Sequence, residues 1–153
     1  MSDLPIQVGD MAPDFELNAA GDKNIRLSDF QGKKNVILSF HPLAWTGICA
    51  AQMKDLQEEI RTLNENETVA LGISVDSVPS KQAWAETLSI KDVLLLSDFE
   101  PKGDVAKKYG IYRKEGFSER AVFVVNKKGI VEYARIYPIS QKPELDEVLK
   151  IIL

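Results

Sequence analysis

The chain has 153 residues, with 44% apolar and 27% charged side chains, which suits one soluble globular domain spanning 1–153 around a single core. A net charge of −4 gives no electrostatic case for a nucleic-acid or anionic-membrane partner, and no apolar stretch approaches the ~20 residues of a membrane-spanning helix. A single cysteine excludes an internal disulfide; with no basic and apolar blocks of a secretory signal in the first residues, a cytoplasmic protein is expected.

In chain order, Met11-Ala12-Pro13-Asp14-Phe15-Glu16-Leu17 reads as an extended lead-in. A turn at Ala20-Gly21-Asp22-Lys23 and a short returning strand, Ile25-Arg26-Leu27, make an N-terminal β-hairpin. A turn-rich connection over 27–33 leads into the first buried strand, 36–40. A helix is predicted from about Cys49, since Met53, Leu56, Ile60 and Leu63 follow at spacings of four, three, four and three. The run 68–75 is a second apolar strand whose weak alternation implies cover on both faces. A helix capped by Ser77 or Ser80 runs to Leu88. Another short strand is expected at 93–97, then a short helix over 103–109 closed by Gly110 in the left-handed region. The runs 121–125 and 130–136 form a hairpin about Asn126-Lys127-Lys128-Gly129. A last helix is predicted from Pro143 to Leu153, with Ser140 as its cap. This order fits an α/β fold of the thioredoxin-like kind: a central mixed β-sheet flanked by helices, with the N-terminal hairpin as an extension.

Cys49 falls after a strand and a loop, near the amino end of a helix. Unpaired N–H groups and the helix dipole favour an anion there, and the anion of a cysteine is its nucleophilic form. The competing reading is an inert buried thiol. Asp76 and Asp98, at strand ends without a histidine or cysteine cluster, read as caps and turns and not as metal ligands. Trp45 and Trp84 read as packing residues.

The segment Pro42-Leu43-Ala44-Trp45-Thr46-Gly47-Ile48-Cys49 matches the pattern Pro-x-x-x-Thr/Ser-x-x-Cys of the peroxiredoxin (AhpC/TSA) family. Met11-Ala12-Pro13-Asp14-Phe15 resembles its Ala-Pro-Asp-Phe signature, and Ser74-Val75-Asp76-Ser77, Ala83-Trp84-Ala85 and Leu96-Ser97-Asp98-Phe99 resemble its middle region. Ser118-Glu119-Arg120-Ala121-Val122-Phe123 resembles the segment bearing its active-site arginine. Within the family, the chain is most similar to short single-cysteine forms of the alkyl hydroperoxide reductase E type.

The resemblance implies a thiol-dependent peroxidase that reduces hydrogen peroxide or organic hydroperoxides with no metal or organic cofactor. Cys49 would attack one peroxide oxygen and become a sulfenic acid. Arg120, always charged and with a planar donor fork, would touch sulfur and peroxide. The hydroxyl of Thr46 would orient the substrate or donate to sulfur, although a plain helix cap is the alternative. Pro42 would line the pocket and shield the sulfur from water. His41, the only histidine, could serve as a general base; the family usually has Tyr or Phe there, so a pocket wall is the preferred reading. The resemblance also implies a homodimer formed through the surface around the active-site loop.

Two departures matter. No second cysteine exists, and Lys54 stands where some relatives carry a resolving cysteine, so an external thiol, a low-molecular-weight thiol or a thioredoxin- or glutaredoxin-like protein, must recycle Cys49. Gln52 stands where the family often has Glu. Two rivals share Cys49: a thioredoxin-like redox module, for which Thr46 occupies the place of the first cysteine, and a peroxide sensor without multiple turnover.

Overall fold

Three apolar runs become adjacent central strands of one sheet, and their alternation decides which side chains reach Cys49. A computed structural model describes residues 4–153. Strands β1 (Glu16–Ala19), β2 (Lys23–Arg26), β3 (Asn35–Phe40), β4 (Thr68–Ser74), β5 (Leu94–Ser97), β6 (Arg120–Val125) and β7 (Val131–Tyr137) form a seven-stranded sheet in the order β2-β1-β5-β4-β3-β6-β7. β3, β4 and β5 run parallel, and the remaining pairings are antiparallel. This is the mixed, thioredoxin-like α/β architecture expected from the order of elements. The N-terminal hairpin is no appendage: β1 pairs with β5, Asn18 opposite Ser97, and extends the sheet at that edge.

The helices are α1 (Gly47–Glu58), α2 (Ile60–Glu65), α3 (Val78–Leu88), α4 (Asp104–Lys108) and α5 (Leu145–Ile152). One face of the sheet packs Met53, Leu56, Leu63, Trp84 and Val148 from α1, α2, α3 and α5. The other packs Val105, Ala106 and Tyr109 around Phe15, Phe40 and Phe123. Each large apolar side chain so buried contributes roughly 1.5–3 kcal/mol, and the two layers cover both faces of β3, β4 and β6.

Period two does the rest. Val36, Leu38 and Phe40 belong to the α4 face, and Ile37 to the opposite one; Ser39 and His41 share the parity of Ile37. On β6, Val122 and Val124 lie on the α1 face, which puts Arg120 there too. Phe40 pairs with Ala121, so His41 and Arg120 stand side by side at the ends of neighbouring strands. On β4 the same parity falls on Gly72, where a Cβ would lie 2.4 Å from Met53 Sδ and 3.4 Å from the ring of His41. Glycine there makes the room that both side chains occupy.

Three boundaries differ from expectation. The helix after Cys49 breaks at Glu59, whose backbone (φ −96°, ψ 13°) leaves the helical region; Leu63 still enters the core of Met53 and Leu56 after the change of direction. The last helix begins at Leu145, not Pro143, and Ser140 does not cap it. Ser140 lies in a turn in which Gln141 N donates to Pro138 O at 3.0 Å, and Glu144 takes the capping position without a side-chain bond. The returning strand of the hairpin spans Lys23–Arg26, not 25–27: Lys23 already pairs with Ala19, and Leu27 opens a 3-10 turn that runs to Phe30. The expected caps hold: Ser77 caps α3, accepting from Ser80 N, and Gly110 has φ +72°.

Candidate active site

Cys49 is the third residue of α1, and its side chain is fully buried. Thr46 is the N-cap residue, with an extended backbone that ends the loop from β3. The sulfur thus sits in the first turn of a twelve-residue helix, where the N–H groups have no intrahelical acceptor and the dipole favours negative charge.

Arg120 reaches this sulfur from β6. Its Nη1 lies 3.2 Å from Cys49 Sγ and 2.8 Å from Gln52 Oε1. Its Nε and Nη2 both donate to the carbonyl of Ile139, at 3.2 and 2.9 Å. Arg120 is only 3% exposed, and this fork of contacts fixes the plane of its guanidinium. A hydrogen bond from a permanently charged donor stabilises a thiolate over a thiol. Gln52, one turn beyond Cys49, completes the fixture: its Nε2 donates to Ser39 Oγ at 2.6 Å and to Phe40 O at 3.1 Å. The residue noted in the sequence only as a departure therefore ties α1, β3 and Arg120 together.

The loop over 42–46 is braced rather than packed. Ala44 N donates to Asp76 Oδ2 at 2.8 Å, and Trp45 Nε1 to Ser80 Oγ at 3.0 Å. Trp45 is not a core residue: it is 53% exposed and adopts φ +69°, a conformation that side chains larger than glycine enter only at a cost. Trp84, by contrast, is buried. The Thr46 hydroxyl donates to Leu43 O at 2.9 Å, so it closes the loop and makes no side-chain cap. Its lone pairs are left to accept. Pro42 is buried at the start of the loop. The structure thus brings together Cys49 and Arg120, while Thr46 meets neither directly.

The ring of His41 is wholly buried. Nδ1 faces Ser39 O at 3.3 Å, and Nε2 lies 2.9 Å from Nζ of Lys81. Burial, then the Lys81 charge, holds the ring well below its ordinary range, so it is neutral. With both nitrogens engaged, a general base at His41 has no geometry to act. Asp98 caps α4, accepting from Val105 N and Ala106 N at 3.0 Å each. Asp76 braces the loop. Among the described residues no group of three metal-ligating side chains occurs. Lys81 was not singled out in the sequence, yet a lysine at 81 shares a helical stripe with Trp84 and Leu88, and a charge in an apolar stripe is the signal that could have found it.

Fold and site together define a protein of thioredoxin-like architecture in which one buried sulfur is held against an arginine. The family model described as the AhpC/TSA family matches residues 8–134, and the chain belongs to that family of peroxiredoxins. It is 38% identical to alkyl hydroperoxide reductase E of Mycobacterium bovis over 132 residues, 86% of each chain. It is 32% identical to a chloroplastic 2-cysteine peroxiredoxin of Chattonella marina var. antiqua, over 96% of this chain and 79% of that one. Among solved structures, the reduced 2-Cys peroxiredoxin of Plasmodium vivax superposes with a TM-score of 0.87 at 30% identity, covering 97% of this chain and 81% of that one. AhpC of Mycobacterium tuberculosis gives the same TM-score at 20% identity, over 97% and 92%, a likeness of fold.

Proposed function

We propose that the chain is a thiol-dependent peroxidase in which Cys49 is the peroxidatic sulfur, Arg120 and Thr46 orient the substrate, and Pro42 shields the reaction from water. The observation that carries this reading is the 3.2 Å contact between Arg120 Nη1 and Cys49 Sγ. A charged donor on a buried sulfur favours the nucleophilic anion and stays in place to receive negative charge as it develops on oxygen.

The Cys49 thiolate attacks the terminal oxygen of R–O–O–H. An S–O bond forms, the O–O bond breaks, and sulfur is oxidised by two electrons to the sulfenic acid. The leaving alkoxide or hydroxide, steadied by Arg120, takes up a proton and departs as alcohol or water. The Thr46 hydroxyl, its proton given to Leu43 O, accepts a hydrogen bond from the peroxide and aligns it. With one cysteine in the chain, an external thiol attacks the sulfenic sulfur and releases water, leaving a mixed disulfide. A second thiol displaces Cys49 as thiolate and carries away the disulfide. The reductant is a low-molecular-weight thiol or a thioredoxin- or glutaredoxin-like protein, and a reducing compartment such as the cytosol suits this cycle.

The functional unit is a homodimer joined near the active-site loop. Leu43, Trp45 and Phe99 are exposed at that end of the sheet, an apolar surface of the kind that associates.

Peroxide consumption by the reduced chain with a thiol donor tests the reading. Cys49→Ser should abolish it. Many turnovers per chain are expected; a single oxidation that ends in a stable complex with a partner would instead identify a sensor.

A further inference from the structure

Lys81 extends from α3 toward the sheet and is wholly buried. Its Nζ lies 2.9 Å from His41 Nε2, 2.8 Å from Ser74 Oγ and 3.3 Å from Gly72 O. An unpaired cation in such a place costs several kcal/mol or more, so these three contacts are what makes it tolerable.

Their directions are determined. Nδ1 of His41 faces the carbonyl of Ser39, which can only accept, so the proton sits on Nδ1 and Nε2 presents a lone pair. The Ser74 hydroxyl gives its proton to Asp76 Oδ2 at 2.7 Å and so also presents a lone pair. The third partner is a carbonyl. Three acceptors surround a nitrogen that has three N–H bonds as an ammonium and only two as an amine.

Both arms of this cluster end on the active-site loop. His41 directly precedes Pro42, and its ring packs against Trp84 with centroids 5.4 Å apart. Asp76, reached through Ser74, holds the N–H of Ala44. Pro42 and Leu43 are therefore suspended between two points tied to one buried ammonium, and Leu43 is the residue whose carbonyl positions the Thr46 hydroxyl.

We propose that Lys81 is a positioning residue for peroxide reduction, its buried ammonium holding the 42–46 loop against Cys49 through His41 on one side and Ser74 and Asp76 on the other. This rests on the peroxidase reading above. The charged and titratable groups facing the cluster are Asp76 in the turn after β4, Cys49 on α1, His41 at the end of β3, and Arg120 on β6, which acts on His41. Burial pulls Lys81 down to about 7, against the support of Asp76 and Cys49. Loss of its proton removes one donor and turns a lone pair toward an acceptor, so the loop loosens as pH rises past neutrality.

Rapid mixing of the reduced full chain with hydrogen peroxide, followed by tryptophan emission on both sides of neutrality, tests this. The unaltered chain should show a rate constant that falls on the alkaline side of neutrality, as Lys81 loses its proton. Lys81→Met should slow the reaction about ten- to a hundredfold, the scale of displaced reacting groups, and should show no alkaline fall. His41→Phe takes one acceptor from the ammonium and should move the fall to lower pH. A merely structural lysine would change the melting temperature and leave the shape of the profile alone. An unaltered chain with no alkaline fall overturns the proposal, as does Lys81→Met with the original rate and fall. If Lys81→Met does not fold, an unmoved profile in His41→Phe overturns it. Failure of the peroxidase reading itself would look different, with the unaltered chain as inert toward peroxide at every pH as Cys49→Ser, and it would remove this proposal as well.

Discussion

Gln52 and Cys49 share one nitrogen of Arg120: Nη1 lies 2.8 Å from the amide oxygen of Gln52 and 3.2 Å from the sulfur. The shorter contact is to a neutral acceptor, so the guanidinium is steadied without a competing negative charge. Gln52→Ala leaves Nη1 with the sulfur alone and strips Ser39 Oγ of its donor. Stability should fall by about 1–3 kcal/mol, the cost of buried polar groups left without partners, and the rate with peroxide should fall because the guanidinium is freer to turn. Denaturant unfolding and rapid-mixing kinetics measure the two effects separately; an unchanged rate in a destabilised variant would confine Gln52 to folding.

Arg120 supplies both charge and shape, and two substitutions separate them. Arg120→Met should cost about a hundred- to a thousandfold in the rate constant, the scale of losing one preorganised donor to a developing anion. Arg120→Lys keeps a charge but cannot span Cys49, Gln52 and Ile139 O at once, since an ammonium lacks the planar fork. It should fall between the other two. A lysine variant as fast as the unaltered chain would mean that charge alone matters and that the fork at Ile139 is incidental.

Much of this site was legible in the sequence because it depends on local rules. A strand, a short loop and a helical stripe place Cys49 at a helix amino end. Alternation on β6 could also have placed Arg120 on the α1 face, as it does Val122. The pairing of the two residues, 71 positions apart, came only from family resemblance, because no local rule brings β6 against α1. The same limit hid Lys81. Its partners lie on β3 and β4, and a lysine on α3 reads as a solvated charge until the sheet supplies three acceptors. The break at Glu59 and the start of α5 beyond Pro143 were missed because stripe and composition continue across them while the backbone does not. Trp45 was misread for a related reason: an aromatic residue is ordinarily packed, but here the indole N–H braces the loop from outside.

Thr46 tests whether a loop-closing bond also governs chemistry. Its hydroxyl donates to Leu43 O, and only its lone pairs remain for a peroxide. Thr46→Ser preserves donor and acceptor and should stay within a few-fold of the original rate. Thr46→Val keeps the shape, loses both functions, and should slow peroxide reduction about ten- to a hundredfold through lost alignment. The melting temperature should move little in either variant, since the bond is exposed and one such bond contributes only about 0.5–1.5 kcal/mol. Equal rates for the serine and valine variants would remove Thr46 from the reaction.

The buried pair beneath the loop makes stability depend on pH in a direction that can be worked out. His41 is held well below its ordinary 6.5, chiefly by burial. Between 6.5 and that lower value the unfolded chain carries a proton that the folded chain refuses, so stability falls as pH drops through this window. Lys81 is lowered from 10.5 to about 7. Between those values the unfolded chain again holds the extra proton, so stability also falls as pH drops from 10.5 to about 7 and is not further changed by Lys81 below that. Asp98 acts oppositely. Burial raises it above 3.8, against the bonds from Val105 and Ala106, so the folded chain keeps a proton there that the unfolded chain gives up, and stability gains as pH drops through that more acidic window. The melting temperature should therefore climb from mildly acidic to mildly alkaline solution. The chain has one histidine, so His41→Phe should flatten the part of the slope just below 6.5. A melting temperature that rises on acidification from neutrality, or a slope there that survives His41→Phe, would mean that the histidine is charged or solvated in the folded protein, with Nδ1 still donating to Ser39 O but Nε2 no longer accepting from Lys81.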